Sequence, residues 1–320
     1  MPEPGVMLAT LIDAPFDDPD WVFETKWDGV RAICRVDEHR RLRLLSRTGH
    51  DLSGIFPELT AIARAVAGVP VTLDGEVIAL DAQGRSSFQA LQPRLNRRRP
   101  PPEADRVPVR FAAFDILEHR GRDLRSLPLE ERMRILRAAL PEIPGVATIS
   151  TAVREGGKAA FAAAARAGLE GIVGKRLASR YARGRSREWV KIKARRQQEF
   201  VVGGWTEPRG SRSRFGSLLL GFYEDGVLRY AGSVGTGFDE RALEDVSARL
   251  HTIGRASSPF AQPPSRLASA VHWVEPRLVA EVKFAEWTRG GRVRQPVFQG
   301  LRDDKPPREV VREVAASAGG

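Results

Sequence analysis

The sequence predicts an α+β chain of two domains, the first built from antiparallel sheets with flanking helices, the second a small β-barrel. Three observations lead there. Short strand-like segments closed by turn residues recur from Trp21 to Leu117, with helical spacing between some of them. A run with seven lysines or arginines against one acid, Arg183 to Arg196, then marks a shift in composition. Beyond it, strand follows strand with one helix among them. The boundary is placed near Arg196, giving domains of 1–196 and 197–320.

Taken in order, Trp21-Val22-Phe23 leads as a strand toward a turn at Asp28-Gly29. A second joint falls at Asp37-Glu38-His39-Arg40, after which Arg41-Leu42-Arg43-Leu44 alternates as a half-buried strand should. Pro57 to Val66 reads as a helix with Leu59, Ile62 and Val66 on one stripe and Gly68 past its end. Val71 to Leu80 is a strand closed by Asp81-Ala82-Gln83-Gly84. Arg94 to Pro102 is a basic, proline-stopped loop, either a solvated surface or a nucleic-acid contact. Val109 to Leu117 is apolar enough for a buried strand. Pro128 to Leu140 is a helix with Leu129, Met133, Leu136 and Leu140 on one face. Gly157 to Ala167 is an alanine-rich helix stopped by Gly168.

In the second half, Glu199 to Trp205 opens the run of strands. Leu218 to Tyr223 and Val227 to Tyr230 flank Asp225-Gly226, a hairpin signal. Asp239 caps a helix carrying Leu243, Val246 and Leu250. Val279 to Trp287 is another strand and Arg308 to Ala315 a terminal helix. Several short strands around one helix suit a barrel of the oligonucleotide-binding type, the OB fold.

Composition narrows the partner. The 320 residues are 42% hydrophobic and 28% charged, which is a globular chain, and a formal charge of +11 with a pI near 10.5 asks for a polyanion. Nucleic acid comes first and an anionic membrane surface second. No apolar run approaches a transmembrane length and Met-Pro-Glu-Pro-Gly is not a signal peptide, so a cytoplasmic location is expected. One cysteine, Cys34, excludes an intramolecular disulfide and a cysteine-cluster zinc site.

The chemistry centres on Glu24-Thr25-Lys26-Trp27-Asp28-Gly29-Val30-Arg31. Strand alternation puts Glu24, Lys26 and Asp28 on one face. The stretch is either a paired surface lysine or a lysine nucleophile, which needs surroundings that favour the neutral amine and a cation to receive phosphate charge. Elsewhere, alternation sets Asp74 and Glu76 together in Leu73-Asp74-Gly75-Glu76-Val77. It also sets Lys191 and Lys193 together in Trp189-Val190-Lys191-Ile192-Lys193, where an anion between the two ammoniums would relieve their repulsion.

Lys26-x-Asp28-Gly29-x-Arg31 resembles the nucleotide-accepting motif of the covalent nucleotidyltransferases, which include ATP-dependent DNA ligases, RNA ligases and mRNA capping enzymes. Further motifs of that superfamily follow in order: Ser46-Arg47-Thr48-Gly49, Leu73 to Val77, Phe111-Ala112-Ala113-Phe114-Asp115-Ile116, Glu170-Gly171-Ile172-Val173-Gly174-Lys175, Trp189 to Lys193, and Arg302-Asp303-Asp304-Lys305. Together they cover nearly the whole chain. Gln198 to Pro208, Tyr230 to Phe238 and Phe298 to Arg302 are similar to the ligase module of bacterial end-joining enzymes of the ligase D type.

The resemblance implies an adenylation domain followed by an OB fold, and an activity in three steps. Lys26 takes AMP from ATP, AMP passes to the 5′-phosphate at a nick, and the 3′-hydroxyl displaces it. It implies that Glu24, Arg31, Arg47 and Glu76 bind the nucleotide and that Phe114 stacks on the purine. Glu170 and Glu76 would hold Mg²⁺ or Mn²⁺, and Lys191 and Lys193 the α-phosphate, helping to keep Lys26 neutral. Arg302 and Lys305 would reach the pyrophosphate when the barrel closes over the nucleotide. The implied partners are nicked or broken duplex DNA, then Ku and separate polymerase or phosphoesterase modules, for a monomer at the bacterial nucleoid without a membrane. An RNA ligase or capping-type transferase shares the core, and a non-catalytic basic nucleic-acid-binding module fits composition and barrel alike. The single cysteine disfavours the NAD-dependent ligases, which carry a zinc finger.

Overall fold

The computed structural model describes residues 5–95, 107–208, 214–264 and 270–314. The chain divides between Arg195 and Arg196 into two compact units. Among the described residues no helix is long and apolar enough to cross a membrane.

The first unit opens with strands β1 (Met7–Leu11), β2 (Trp21–Thr25), β3 (Val30–Val36) and β4 (Leu42–Ser46). A 3₁₀ turn, Pro57–Ala61, runs into the short helix α1 (Ile62–Ala65) and is followed by β5 (Val71–Ala79) and α2 (Phe88–Leu95). Then come β6 (Val109–His119), β7 (Arg122–Asp123), α3 (Leu129–Ala139), β8 (Ala147–Ile149) and β9 (Ala152–Arg154). The unit closes with α4 (Gly157–Arg166), β10 (Gly171–Arg176) and β11 (Gly184–Lys193).

Two sheets form it. One has the order β1-β11-β10-β2-β9, the other β4-β3-β5-β6-β7 with β8 alongside β6. Only β1 with β11 and β8 with β6 run parallel among the pairs of these sheets. The larger core lies under the second sheet, where Val30, Ala32, Leu73, Val77 and Phe111 meet Leu59, Ile62 and Val66. Helix α4 covers the first sheet through Ala164 against Phe23 and Ile172.

The second unit contains β12 (Gln197–Thr206), β13 (Leu218–Glu224), β14 (Val227–Val234), α5 (Glu240–His251), β15 (Gly254–Arg255) and β16 (Val271–Val274). It ends with β17 (Val279–Lys283), β18 (Glu286–Trp287), β19 (Val293–Arg294) and β20 (Val297–Leu301). Strand β12 is the spine. Its first half pairs with β17 and its second half with β16, so the sheet curls around Phe200, Val202, Leu218, Leu220, Val282 and Phe298. The β13–β14 turn is Asp225-Gly226 with φ of 51° and 77°, both left-handed as a two-residue hairpin demands. Asp239 caps α5 by accepting the Ala242 N–H at 2.7 Å.

Four expectations need correction. Pro57 to Val66 is not one α-helix: Leu59 N–H bonds the Phe56 carbonyl and the Thr60 hydroxyl the Pro57 carbonyl, which tightens the first turn to 3₁₀. Arg94 is not in a loop but near the end of α2, drawn inward by Glu58 at 2.7 and 3.0 Å and by the Ile55 and Val107 carbonyls. The rest of that basic segment, 96–106, lies outside the described residues. Val279 to Trp287 is broken at Phe284-Ala285, because Ala285 N–H turns to the Arg294 carbonyl and starts the small β18–β19 ladder.

No α-helix begins at Arg308. A 3₁₀ turn spans Pro307–Glu309. Val311 then bridges Tyr223, and Tyr223 N–H takes the Val310 carbonyl, which holds the segment extended; residues from 315 lie outside the described ones.

Candidate active site

Lys26 sits one residue past β2. Its backbone N–H donates to the Gly171 carbonyl at 2.9 Å, which locks it beside the start of β10. The chain behind it is pinned by Trp27 Nε1 donating to Ser150 Oγ at 3.1 Å and by Asp28 N–H donating to Ser86 Oγ at 3.1 Å. Gly29 has to be glycine, since a Cβ there would stand 2.2 Å from the Val77 carbonyl oxygen of β5.

Glu170 precedes β10 rather than lying in it, and its Oε2 accepts from Lys26 Nζ at 2.5 Å. The alternation expected for Glu24 and Lys26 ends with β2 at Thr25, so the two reach different partners. Burial alone pushes the Lys26 ammonium down, and Lys193 adds to that, but the Glu170 carboxylate together with Asp28 outweighs both and the pKa ends above the ordinary lysine value. Lys193 thus favours the neutral amine, as expected of it, and in the nucleotide-free protein the neighbouring carboxylates outweigh it. The two phosphate lysines lie on β11, with Lys193 opposite Gly171 and Lys191 opposite Val173, both half-buried while Val190 and Ile192 are buried.

Glu24 lies beneath this. Both its oxygens accept from Lys175 Nζ at 3.0 Å, and Lys175 also donates to the Phe114 carbonyl at 3.1 Å. Burial raises the Glu24 carboxyl against the pull of Lys175. The same ammonium stands 4.4 Å from the Phe114 ring centroid and 4.6 Å from that of Trp189. Phe114 is half-buried, whereas Phe111, on the same strand, is fully buried in the core.

Arg31 makes a fork onto Asp74, Nε to Oδ1 at 3.0 Å and Nη2 to Oδ2 at 2.7 Å, and gives Nη1 to the Met7 carbonyl at 2.7 Å. Tyr181 completes the group, donating to Asp74 Oδ2 at 2.6 Å and accepting the Met7 N–H at 3.1 Å. Burial lowers the Arg31 pKa, but Asp74 overrides it and the guanidinium is held more firmly charged than usual. Most of the Arg31 donors thus face protein. Glu76 lies opposite Arg31 in the β3–β5 register and is half-buried, as is Arg47 in the turn after β4.

Next to Phe114, Asp115 is fully buried and accepts both arms of an equally buried Arg132 from α3, at 2.8 and 2.9 Å. Arg132, Tyr181, Asp74 and Lys175 were not singled out as site residues. A signal for Arg132 existed: it falls at i+3 from Leu129 and precedes Met133 on the stripe that α3 buries. Tyr181 had none.

In the second unit, Arg302 gives Nε and Nη2 to Asp304 at 2.7 and 2.8 Å and Nη1 to Glu281 at 3.2 Å. Lys305 donates to Glu199 at 3.0 Å. Burial lowers the Arg302 pKa, yet Asp304 and its neighbours leave it well above the ordinary value.

In chemical terms the first unit gathers a lysine amine, a carboxylate, a second lysine and a half-exposed aromatic ring, a set suited to covalent capture of a nucleotide phosphate. Comparison with known proteins agrees. The sequence pattern described as "ATP dependent DNA ligase domain" matches residues 7–193, and that of the "ATP dependent DNA ligase C terminal region" matches residues 211–305. The chain is 43% identical over 319 residues to the "Multifunctional non-homologous end joining protein LigD" of Pseudomonas aeruginosa, covering 97% of this chain and 36% of that protein. It is 34% identical to "DNA ligase C" of Mycobacterium tuberculosis, covering 73% of this chain and 67% of that one. Among solved structures, "mycobacterial DNA ligase D complexed with ATP and MES" superposes with a TM-score of 0.69 at 38% identity, over 97% of this chain and 98% of that one. The chain thus spans about a third of the length of the end-joining relatives it matches. Fold and family descriptions agree on an adenylation unit followed by an OB fold.

Proposed function

The chain belongs to the ATP-dependent DNA ligases, and from that premise we propose that it seals breaks in duplex DNA through a lysyl-AMP on Lys26, in double-strand break repair by end joining. The observation that carries the reading is Lys26 Nζ at 2.5 Å from Glu170 and within the field of Lys193.

In the first step the Lys26 nitrogen forms a bond to the α-phosphorus of ATP while the bond to the bridging oxygen breaks, its electron pair leaving with pyrophosphate. The nitrogen sheds two protons in all, one before attack and one as the new bond forms. Lys191 and Lys193 take up charge on the α-phosphate oxygens, and Phe114 stacks on the base with Lys175 beneath it. Arg31, Arg47 and Glu76 face the ribose and phosphate, with Arg31 held by Asp74 and Tyr181; Glu24 serves the base side through Lys175. Arg302 and Lys305 balance the pyrophosphate.

A hard divalent cation suits the donors here, since Glu170 and Glu76 offer carboxylate oxygens and the nucleotide would bring more. Glu170 and Glu76 would hold Mg²⁺ or Mn²⁺, which would supply positive charge to the phosphate oxygens.

AMP then passes to the 5′-phosphate of the break, whose oxygen attacks the α-phosphorus and frees Lys26. In the third step the 3′-hydroxyl attacks that 5′-phosphate and AMP leaves. The partners proposed are nicked or broken duplex DNA, and Ku with polymerase and phosphoesterase modules, for a monomer working at the nucleoid. The bacterial relatives named for non-homologous end joining support this choice over an RNA ligase or a capping enzyme.

Incubation with ATP labelled at the α-phosphate and Mg²⁺ tests the reading. The wild-type protein is expected to carry the label covalently and Lys26→Ala to carry none. A non-catalytic DNA-binding module would leave both unlabelled, and equal labelling of both would remove Lys26 from its role.

A further inference from the structure

We propose that the β18–β19 hairpin of the second unit is a contact for duplex DNA, in which Arg289 and Arg292 take phosphates of the strand backbone. The proposal rests on the reading of the chain as a DNA-joining enzyme and names one place where it holds the duplex.

The hairpin fills the connection between β17 and β20, which are neighbours in the barrel sheet, yet it forms a separate two-stranded sheet. Its base is fixed. The Trp287 ring lies 5.6 Å from each of the Phe200, Phe222 and Phe284 rings, and Val293 is buried in the same core. The tip is closed as well. Thr288 N–H donates to the Arg292 carbonyl at 2.8 Å, Gly291 N–H to the Thr288 carbonyl at 3.1 Å, and Arg292 N–H to Thr288 Oγ1 at 3.1 Å.

This closed tip reads Thr288-Arg289-Gly290-Gly291-Arg292, and both arginines are exposed. Among the described residues neither forms an ion pair. Arg294, two residues on, is held by Glu286 at 2.9 Å, and Arg214, Arg229, Arg249 and Arg255 of the same unit also have acidic partners. Arg292 is nevertheless directed, since its Cζ stands 5.5 Å from the Tyr230 ring centroid, which steadies the cation without neutralising it. Gly290 and Gly291 put no side chain between the two guanidiniums, and a Cβ on Gly291 would meet nothing within 4 Å. A strand backbone can therefore come close. Guanidiniums suit phosphate oxygens, and the connection between the last two strands is one of the places where OB folds take nucleic acid. Contacts to phosphate position a duplex without reading its sequence, as joining of arbitrary breaks requires. Arginines that only keep the tip solvated would make no such contact, and binding measurements separate the two cases.

Arg289→Ala, Arg292→Ala and the double variant are compared with Arg241→Ala, which removes an exposed cation from α5 and controls for net charge. Fluorescence anisotropy on nicked duplex at several salt concentrations reads affinity and slope. Each tip variant should bind several-fold more weakly and flatten the slope of log affinity against log salt by about 0.9, the double variant by about twice as much, and Arg241→Ala by clearly less. Lysyl-AMP formation without DNA should keep the wild-type rate, while sealing of a nick that already carries AMP should fall, more so as salt is raised. Unchanged affinity and slope in the double variant overturn the proposal. So does a loss no larger than that of Arg241→Ala, or a loss accompanied by a lowered melting temperature and slowed lysyl-AMP formation. A wild-type protein that forms lysyl-AMP but neither binds nor seals nicked duplex would defeat the DNA reading and this proposal together. Tip variants that match a wild type which does seal defeat this proposal alone.

Discussion

Lys26 Nζ and Glu170 Oε2 are 2.5 Å apart, and this contact favours the charged form of the nucleophile. About a fifth of the lysine side chain is exposed and almost none of the glutamate. Burial and Lys193 favour the amine, Glu170 and Asp28 favour the ammonium, and the carboxylates prevail. Because the pKa is raised, the neutral amine gains as pH rises through the alkaline range, and labelling by ATP should climb with it. In Glu170→Gln only Asp28 is left to favour the ammonium against burial and Lys193, so the Lys26 pKa should fall. The pH dependence of Lys26 modification by an amine reagent, with no metal present, measures this directly. A curve that does not move to lower pH would show that Glu170 does not control the amine.

Phe111 and Phe114 look alike in sequence but have different surroundings. Phe111 is fully buried among Ala32, Leu73 and Val77, so Phe111→Ala should cost about 3–5 kcal/mol of stability. Phe114→Ala, from a half-buried position, should cost less stability and instead raise KM for ATP. Stacking of a base on an aromatic ring is worth roughly 1–3 kcal/mol, so the rise should be about fivefold to a hundredfold or somewhat more. Thermal melts and labelling at varied ATP read the two effects. A large stability loss with unchanged KM for Phe114→Ala would return the ring to the core.

DNA binding should be chiefly electrostatic. The net charge is +11 and seven basic residues lie between Arg183 and Arg196, five of them in or beside the strand that carries Lys191 and Lys193. Each phosphate neutralised contributes a slope of about −0.9 to log affinity against log salt. Fluorescence anisotropy on nicked duplex at several salt concentrations should give a steep negative slope. A flat line would argue for a different mode of binding.

Much of this was legible in sequence where a residue acts through its neighbours in the chain. The alternation of Val190, Lys191, Ile192 and Lys193, the Asp225-Gly226 hairpin and the Asp239 cap follow from local geometry alone. What could not be read depends on partners far along the chain. Glu24 and Lys175 are 151 residues apart, and Lys26 and Glu170 are 144 apart, so no spacing in either stretch announces the pair. The helices expected over Pro57 to Val66 and after Arg308 failed for a related reason. Helical periodicity was present, but in the first segment the Leu59 N–H took the Phe56 carbonyl three residues back, and in the second the distant Tyr223 N–H took the Val310 carbonyl and held the chain extended.

The buried pair Arg132–Asp115 gives the last prediction. Neither side chain is exposed, and the guanidinium meets the carboxylate with two hydrogen bonds of 2.8 and 2.9 Å. Arg132 also donates to the Leu127 carbonyl at 2.5 Å and the Ser179 carbonyl at 3.0 Å, so one side chain ties α3 to β6 and to the segment that carries Tyr181. Removing either partner leaves a desolvated charge without its counter-ion. Arg132→Met and Asp115→Asn should each therefore lose about 3–5 kcal/mol of stability. The double variant leaves neither ion stranded and should lose clearly less than the two single losses added together. Urea unfolding of the four proteins closes this cycle. Losses that add would mean that the two groups stabilise the fold independently, and the ion pair would then not be what holds α3 beside Phe114.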